Sequence, residues 1–188
     1  MSEKGLSGLE FATGVPATIG GMVYMSFECW GNDISSMVDS VYIYEKENGF
    51  RWIKRQDYEV AYRWTSFHDL QCIILAVKLN THPSTTNKVK EKMQQYLSER
   101  KKKQPVLKST FGSVFKNPLP QKAGELVDRL GLKGTTIGDA MISNHHANFF
   151  ENLDKASFDD TFKLIKLIQN KVQTMYNVKL ECEVQMIQ

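Results

Sequence analysis

The chain has 188 residues, 41% of them hydrophobic and 24% charged, an ordinary globular composition that suits one large domain or two small ones. Its formal charge of +3 is too small to imply a nucleic-acid partner, and no run of about 18 apolar residues offers a membrane span. The opening Met1-Ser2-Glu3-Lys4-Gly5 lacks the apolar core of a signal peptide. Cys29, Cys72 and Cys182 are odd in number, far apart and in no CxxC pair. Together these features predict a soluble cytoplasmic protein with reduced thiols.

In chain order, the first feature is a Gly-rich turn from Gly8 to Gly21. Gly14, Gly20 and Gly21 permit positive φ or close backbone approach, and Pro16 stiffens the turn. A short helix from Thr18 would leave N–H groups that suit a diphosphate. Val38 to Tyr44 is rich in β-formers, with Val41 and Ile43 on one face and Tyr42 and Tyr44 on the other. Asn48-Gly49 is a hairpin signal, and Phe50 to Ile53 would be the return strand. Cys72 to Leu79 reads as a buried strand.

Pro83-Ser84-Thr85-Thr86 then starts a helix with Val89, Met93, Tyr96 and Leu97 at helical spacing. Arg100-Lys101-Lys102-Lys103 falls in its last turn, where a solvated run of cations favours the helix dipole. A second helix is expected from Gln121 to Leu130, ended by Gly131. A third starts at Ser157, with Asp160 completing a capping box. Phe158, Phe162, Leu164, Ile165, Ile168 and Val172 would face inward from it, and Lys163, Lys166 and Lys171 would face water. Val178 to Met186 alternates apolar and polar residues and predicts a half-buried closing strand. The fold class is α+β.

Four places carry candidate chemistry. Gly112-Ser113-Val114-Phe115-Lys116-Asn117-Pro118 gathers a proton donor, a cation and an amide between a flexible entry and a stiff exit. Tyr62-Arg63 offers a planar, permanently charged fork that matches a carboxylate, although an isolated Arg is more often a surface ion-pair partner. The Gly-rich turn is the third, and Leu180-Glu181-Cys182-Glu183-Val184 the fourth. On strand periodicity alone Glu183 faces solvent. His145-His146 invites a metal reading, but no carboxylate or Cys lies at ligand spacing, so no metal is assigned.

In this order the pieces resemble the UDP-N-acetylenolpyruvoylglucosamine reductase family, FAD enzymes that make UDP-N-acetylmuramate for peptidoglycan. Gly14 to Gly21 is similar to the family's Gly-Ile-Pro-Gly-Thr-Val-Gly-Gly, which lines the FAD site. Tyr62-Arg63-Trp64-Thr65-Ser66-Phe67 resembles its Tyr-Arg-x-Ser-x-Phe, with Thr65 at the Ser position. Gly112 to Pro118 matches Gly-Ser-x-Phe-Lys-Asn-Pro, and Arg100 to Pro105 is similar to Arg-Lys-x-x-Gln-Pro. Residues 180–184 resemble the closing Leu-Glu-x-Glu-Val, whose second Glu reaches the active site. Gly131 to Gly134 and Ser143 to Phe149 look like segments of the substrate domain.

The resemblance implies catalytic roles for Arg63, Ser113 and Glu183. It implies FAD contacts at Gly14, Val15, Pro16, Thr18, Gly20 and Gly21, and substrate contacts at Tyr62, Lys116 and Asn117. It further implies NADPH as reductant and UDP-N-acetylglucosamine enolpyruvate as substrate. The expected organisation is a partial FAD-binding domain over residues 1–103, an α/β substrate-binding domain over 104–177, and a closing strand over 178–188 that carries the catalytic Glu.

The match covers only the later part of a family member, without the first half of the FAD domain. Met25-Ser26-Phe27-Glu28-Cys29-Trp30-Gly31 departs from the usual Met-Asn-Ala-Gly-Ala-Tyr-Gly, with Glu28 and Phe27 adding charge and bulk, and Phe111 stands beside Ser113. The first reading is therefore a divergent flavin reductase, with another chain as the candidate source of the missing half. The second is a non-catalytic remnant, or one half of a split reductase, that binds a UDP-sugar without holding FAD alone. A third, an interaction protein using the basic helix end, rests only on the lysine run.

Overall fold

The computed structural model describes residues 2–187. The chain divides into two compact units between Glu99 and Arg100, each with its own core.

The first unit is built on a three-stranded antiparallel sheet, in which Val38–Glu45 is the central strand between Gly49–Lys54 and Cys72–Leu79. The hairpin forms where Asn48-Gly49 signals it, but its loop is three residues, Lys46 to Asn48: Glu45 pairs with Gly49, which opens the return strand at φ +69°. Period-two alternation sends Val41 and Ile43 into the core, both with no exposed area, while Tyr42 stacks on Trp52 across the outer face. The core is completed by Phe11, Met22, Val23, Ile34, Tyr58 and Phe67. Cys72–Leu79 is an outer strand, not a buried one: Ile73 is 60% exposed and Leu75 49%. An aliphatic run states hydrophobicity but not how many neighbours a strand has.

Helix α1, Ile19–Tyr24, starts at Thr18, and α2 spans Thr86–Lys103. Lys101, Lys102 and Lys103 are exposed as expected of a solvated helix end. Arg100 is not. It is 5% exposed and donates from Nη1 to Gln104 Oε1 at 3.0 Å.

In the second unit, α3 (Ala123–Arg129) and α4 (Phe158–Tyr176) pack with a small antiparallel sheet of Thr136–Ile137, Ala140–Ile142 and Phe150–Asn152. The Ser157 hydroxyl caps α4 by accepting from the Asp160 N–H, and Asp160 returns the bond from the Ser157 N–H. Leu164, Ile165, Ile168 and Val172 are buried as the helical spacing requires. Phe158 departs from that expectation. It is 62% exposed and stacks on Phe162 at 5.8 Å, because position N1 lies ahead of the turns that meet the core.

The expected closing strand does not form as a ladder. Residues 178–186 form no regular strand: a bridge between Phe115 and Cys182 is their isolated ladder pairing, and residues 183 and 184 bend. The alternation holds in burial through Cys182, with Leu180 1% exposed and Lys179 and Glu181 facing water, but Met186, expected inward, is 45% exposed. Side-chain periodicity survives here without a continuous row of backbone bonds.

Candidate functional site

Gly112 enters the central motif at φ +88°, a conformation that favours glycine, and a Cβ there would meet open space. Val114 and Phe115 then anchor the segment in the core, with 0% and 1% of their area exposed. Two stretches of chain flank it. On one side Ser113 bridges Phe149, and the Val114 N–H donates to Asn148 O at 2.8 Å. On the other, the Glu183 N–H donates to Val114 O at 2.8 Å and the Lys116 N–H to Glu181 O at 2.9 Å. Ser113 and Glu183 are thus brought together by backbone bonds to one residue, Val114. Both are half-buried, as a pair that meets both the core and a ligand needs to be.

Lys116 and Asn117 take different parts. Lys116 Nζ lies 3.6 Å from the Glu181 carboxylate, an exposed pair of small energetic weight. Asn117 Oδ1 accepts the Ala123 N–H at 3.0 Å, satisfying a donor at the first position of α3. Its established contact therefore shapes the local backbone.

Behind the motif stands a buried polar layer. Asn148, 4% exposed, closes a fork on Phe115: the Phe115 N–H donates to Oδ1 at 3.0 Å, and Nδ2 donates to Phe115 O at 2.8 Å. Ser143, fully buried, donates to Glu151 Oε1 at 2.6 Å and accepts from the His145 and His146 N–H groups. His146 meets the Phe149 ring edge-on at 4.8 Å, and burial holds its imidazole below the ordinary histidine range. The individual roles of Asn148, Ser143 and Glu151 were not visible in sequence. The available signal was a run of polar residues among positions that must be buried, Ala147 and Phe150.

In the first unit, Tyr62 and Arg63 form the two-residue turn of a small hairpin, Val60–Ala61 against Trp64–Thr65. Arg63 has φ +55°, a left-handed conformation that costs a non-glycine residue roughly 1–3 kcal/mol. Its guanidinium lies 5.0 Å from the Tyr62 ring centroid, so the neighbour that shapes the turn also faces the cation. Thr65 is wholly buried and donates from Oγ1 to Tyr24 O at 2.9 Å. The hydroxyl at this position ties the hairpin to the end of α1.

The Gly-rich turn also keeps its predicted form. Gly14 sits at φ +81°, and Thr18 Oγ1 accepts the Gly21 N–H at 3.0 Å as N-cap. The first intrahelical bond is Met22 N–H to Thr18 O, so the N–H groups of Ile19 and Gly20 lie ahead of it. A Cβ on Gly20 would stand 3.4 Å from the Ile74 side chain, and one on Gly21 3.3 Å from Thr18 Oγ1. Glycines thus allow α1 to start close to the sheet with its leading amides uncovered. That donor set, with Pro16 and Thr18 exposed beside it, fits the diphosphate portion of a dinucleotide. Phe27 spends its bulk on Phe11, stacked at 5.9 Å, while Glu28 is exposed opposite Asp33.

Comparison with known proteins matches residues 104–187 to the family model described as UDP-N-acetylenolpyruvoylglucosamine reductase, C-terminal domain. The UDP-N-acetylenolpyruvoylglucosamine reductase of Bacillus pumilus is 38% identical over 188 residues, covering 100% of this chain and 62% of the relative. That of Thermotoga maritima is 37% identical over 186 residues, covering 98% of this chain and 65% of the relative. The crystal structure of the reductase from Thermus caldophilus superposes with a TM-score of 0.85 at 30% identity, over 98% of this chain and 65% of that one. The chain therefore spans less than two thirds of the length of these relatives. It belongs to the UDP-N-acetylenolpyruvoylglucosamine reductase family, with the family's C-terminal domain at residues 104–187 and an α+β fold.

Proposed function

We propose that the chain takes part in the flavin-dependent reduction of UDP-N-acetylglucosamine enolpyruvate to UDP-N-acetylmuramate, an oxidoreductase step of cytoplasmic peptidoglycan synthesis. The observation that supports this most is the backbone bond from Glu183 to Val114, the residue after Ser113, within the segment that matches the reductase.

FAD, recharged by NADPH, would supply the hydride; Gly14, Val15, Pro16, Thr18, Gly20 and Gly21 are the residues of this chain that would hold its diphosphate. The remaining work belongs to side chains. Hydride addition to the β-carbon of the enol ether drives charge into the substrate carboxylate, giving an enediolate. Arg63 offers a planar, cationic fork for that carboxylate. Its stabilisation is greatest where charge develops, in the transition state. Ser113 then gives its hydroxyl proton to the α-carbon. A hydroxyl is a poor acid in water, so the step relies on a strongly basic carbon and on fixed geometry. Glu183 would help Arg63 stabilise the developing charge through a hydrogen-bond network. Tyr62, Lys116 and Asn117 complete the assigned substrate contacts, Tyr62 through Arg63 and Asn117 through the start of α3.

A second reading keeps the UDP-sugar site without FAD held by this chain alone. Under it the chain is one half of a split reductase or a UDP-sugar-binding remnant, and a partner chain supplies the rest of the FAD contacts. Flavin titration separates the two. Quenching of FAD fluorescence by the purified chain, followed by NADPH oxidation dependent on the enolpyruvyl sugar nucleotide, supports the enzyme. Absence of both, with UDP-sugar binding retained, supports the second reading.

A further inference from the structure

We propose that Asn148 is a positioning residue for the Ser113–Glu183 pair, an inference that rests on the reductase reading for its chemical consequence. Residues 113–116 lie between two other stretches of chain, with 148–149 on one side and 181–184 on the other. No long ladder enforces their register. Ser113 and Phe149 make an isolated bridge, and so do Phe115 and Cys182. An extended segment with so few backbone bonds can slip or twist, and a one-residue slip would turn Ser113 to the opposite face.

Asn148 supplies what the short pairing lacks. Its own carbonyl accepts the Val114 N–H at 2.8 Å. Its side-chain amide accepts from the Phe115 N–H and donates to Phe115 O, at 3.0 and 2.8 Å. Three bonds from one residue fix the three successive peptide groups that follow Ser113. Because Val114 O accepts the Glu183 N–H, the same fork fixes Glu183. An amide is the side chain for this task, since it carries a donor and an acceptor on one short, planar group.

The fork is itself held. The Asn148 N–H donates to His146 Nδ1 at 3.2 Å, and the turn from Ser143 to His146 is closed by the buried Ser143 hydroxyl. Gly124 of α3 leaves room for this turn: a Cβ there would stand 3.1 Å from His146 Cε1, closer than ordinary contact. Asn148 is 4% exposed, so it acts from behind the motif and not by touching a ligand.

The test compares the full chain with Asn148→Leu, which fills the same volume without either bond, and with Asn148→Asp, which keeps an acceptor for the Phe115 N–H. Amide exchange and 1H–15N shifts are followed at Ser113, Phe115 and Glu183, with Ile168 of α4 as the reference in the same unit. Exchange at Phe115 and Glu183 should rise at least about tenfold over Ile168 in Asn148→Leu, with smaller changes in Asn148→Asp. Turnover should fall roughly 100-fold, the scale of a 1 Å misplacement, while KM and the rate of flavin reduction by NADPH stay near wild type. Uniform exchange across the unit, or unchanged exchange at Glu183, would overturn the proposal. If Asn148→Leu does not fold, the graded response of Asn148→Asp decides on the same amides. Lack of turnover in the wild-type chain would count against the reductase reading alone, since the amide measurements judge the positioning role without it.

Discussion

The Glu183 N–H donates to the Val114 carbonyl across 2.8 Å, so the residue next to Ser113 is bonded to the backbone of Glu183. Two segments about 70 positions apart in sequence (113 and 183) are joined there through Val114. The consequence is geometric coupling: a change at Val114, Asn148 or Glu183 reaches Ser113 through one or two bonds.

Arg63 makes the first prediction. Its positive φ is a cost to folding that a glycine would not bear. Arg63→Gly should leave thermal stability unchanged or higher, while removing the cation from the proposed reaction. Arg63→Lys keeps the charge but loses the planar fork, and kcat/KM should fall roughly 10²–10³-fold. Calorimetry and steady-state NADPH oxidation on both variants check the pair. Wild-type turnover in Arg63→Gly would remove Arg63 from the mechanism.

Thr65 bears on stability. Its buried hydroxyl donates to Tyr24 O, so Thr65→Val leaves a buried carbonyl without that donor. The expected loss is about 1–3 kcal/mol, read from urea unfolding. Thr65→Ser restores the residue that the family carries at this position and should recover most of the loss.

How much of this was legible in the sequence depends on the range of the interaction. The Ser157–Asp160 capping box, the Asn48-Gly49 turn and the Thr18 cap are settled within four residues, and each appears where its residues predict. The exposure of Ile73 and Leu75 was hidden, because strand periodicity does not say which strands sit at an edge. The sheet of Thr136–Ile137, Ala140–Ile142 and Phe150–Asn152 was missed for another reason: two or three residues are too few to show a period. At the site, the resemblance to the family's motifs named Ser113 and Glu183. It could not show that they meet through Val114, or that Asn148 stands behind them, since those bonds join segments distant in sequence.

The pH dependence follows from His146. Burial is the first cause of its lowered affinity for a proton, with its own backbone hydrogen bond and Asp128 opposing, and Lys133 and His145 adding to the effect. The folded chain therefore binds this proton less readily than the unfolded chain, whose imidazole titrates near 6.5. Stability contributed by neutral His146 is fully present above that pH and declines as pH falls below it, until the folded imidazole also protonates. His146→Gln should flatten the fall in stability below pH 6.5, as measured by urea midpoints across a pH series. An unchanged slope would assign the acid sensitivity elsewhere.

Glu28 gives a prediction about the cofactor. Its carboxylate is exposed on a two-residue strand opposite Asp33, where the family's usual pattern has a glycine. Two unit charges at about 4 Å repel by roughly 4 kcal/mol at an effective dielectric near 20, less with screening. If Glu28 faces the FAD diphosphate, Glu28→Gly should tighten FAD binding, with the gain shrinking as salt is raised. Equal affinities in a fluorescence titration would clear Glu28 of any part.

The most direct measurement is product formation. The purified chain is mixed with FAD, NADPH and UDP-N-acetylglucosamine enolpyruvate, and UDP-N-acetylmuramate is followed by mass spectrometry beside Ser113→Ala. The account predicts product from the wild-type chain and a loss of about 10²–10⁴-fold in Ser113→Ala, the usual weight of a positioned proton donor. No product from the wild-type chain, or equal rates from both proteins, would contradict it.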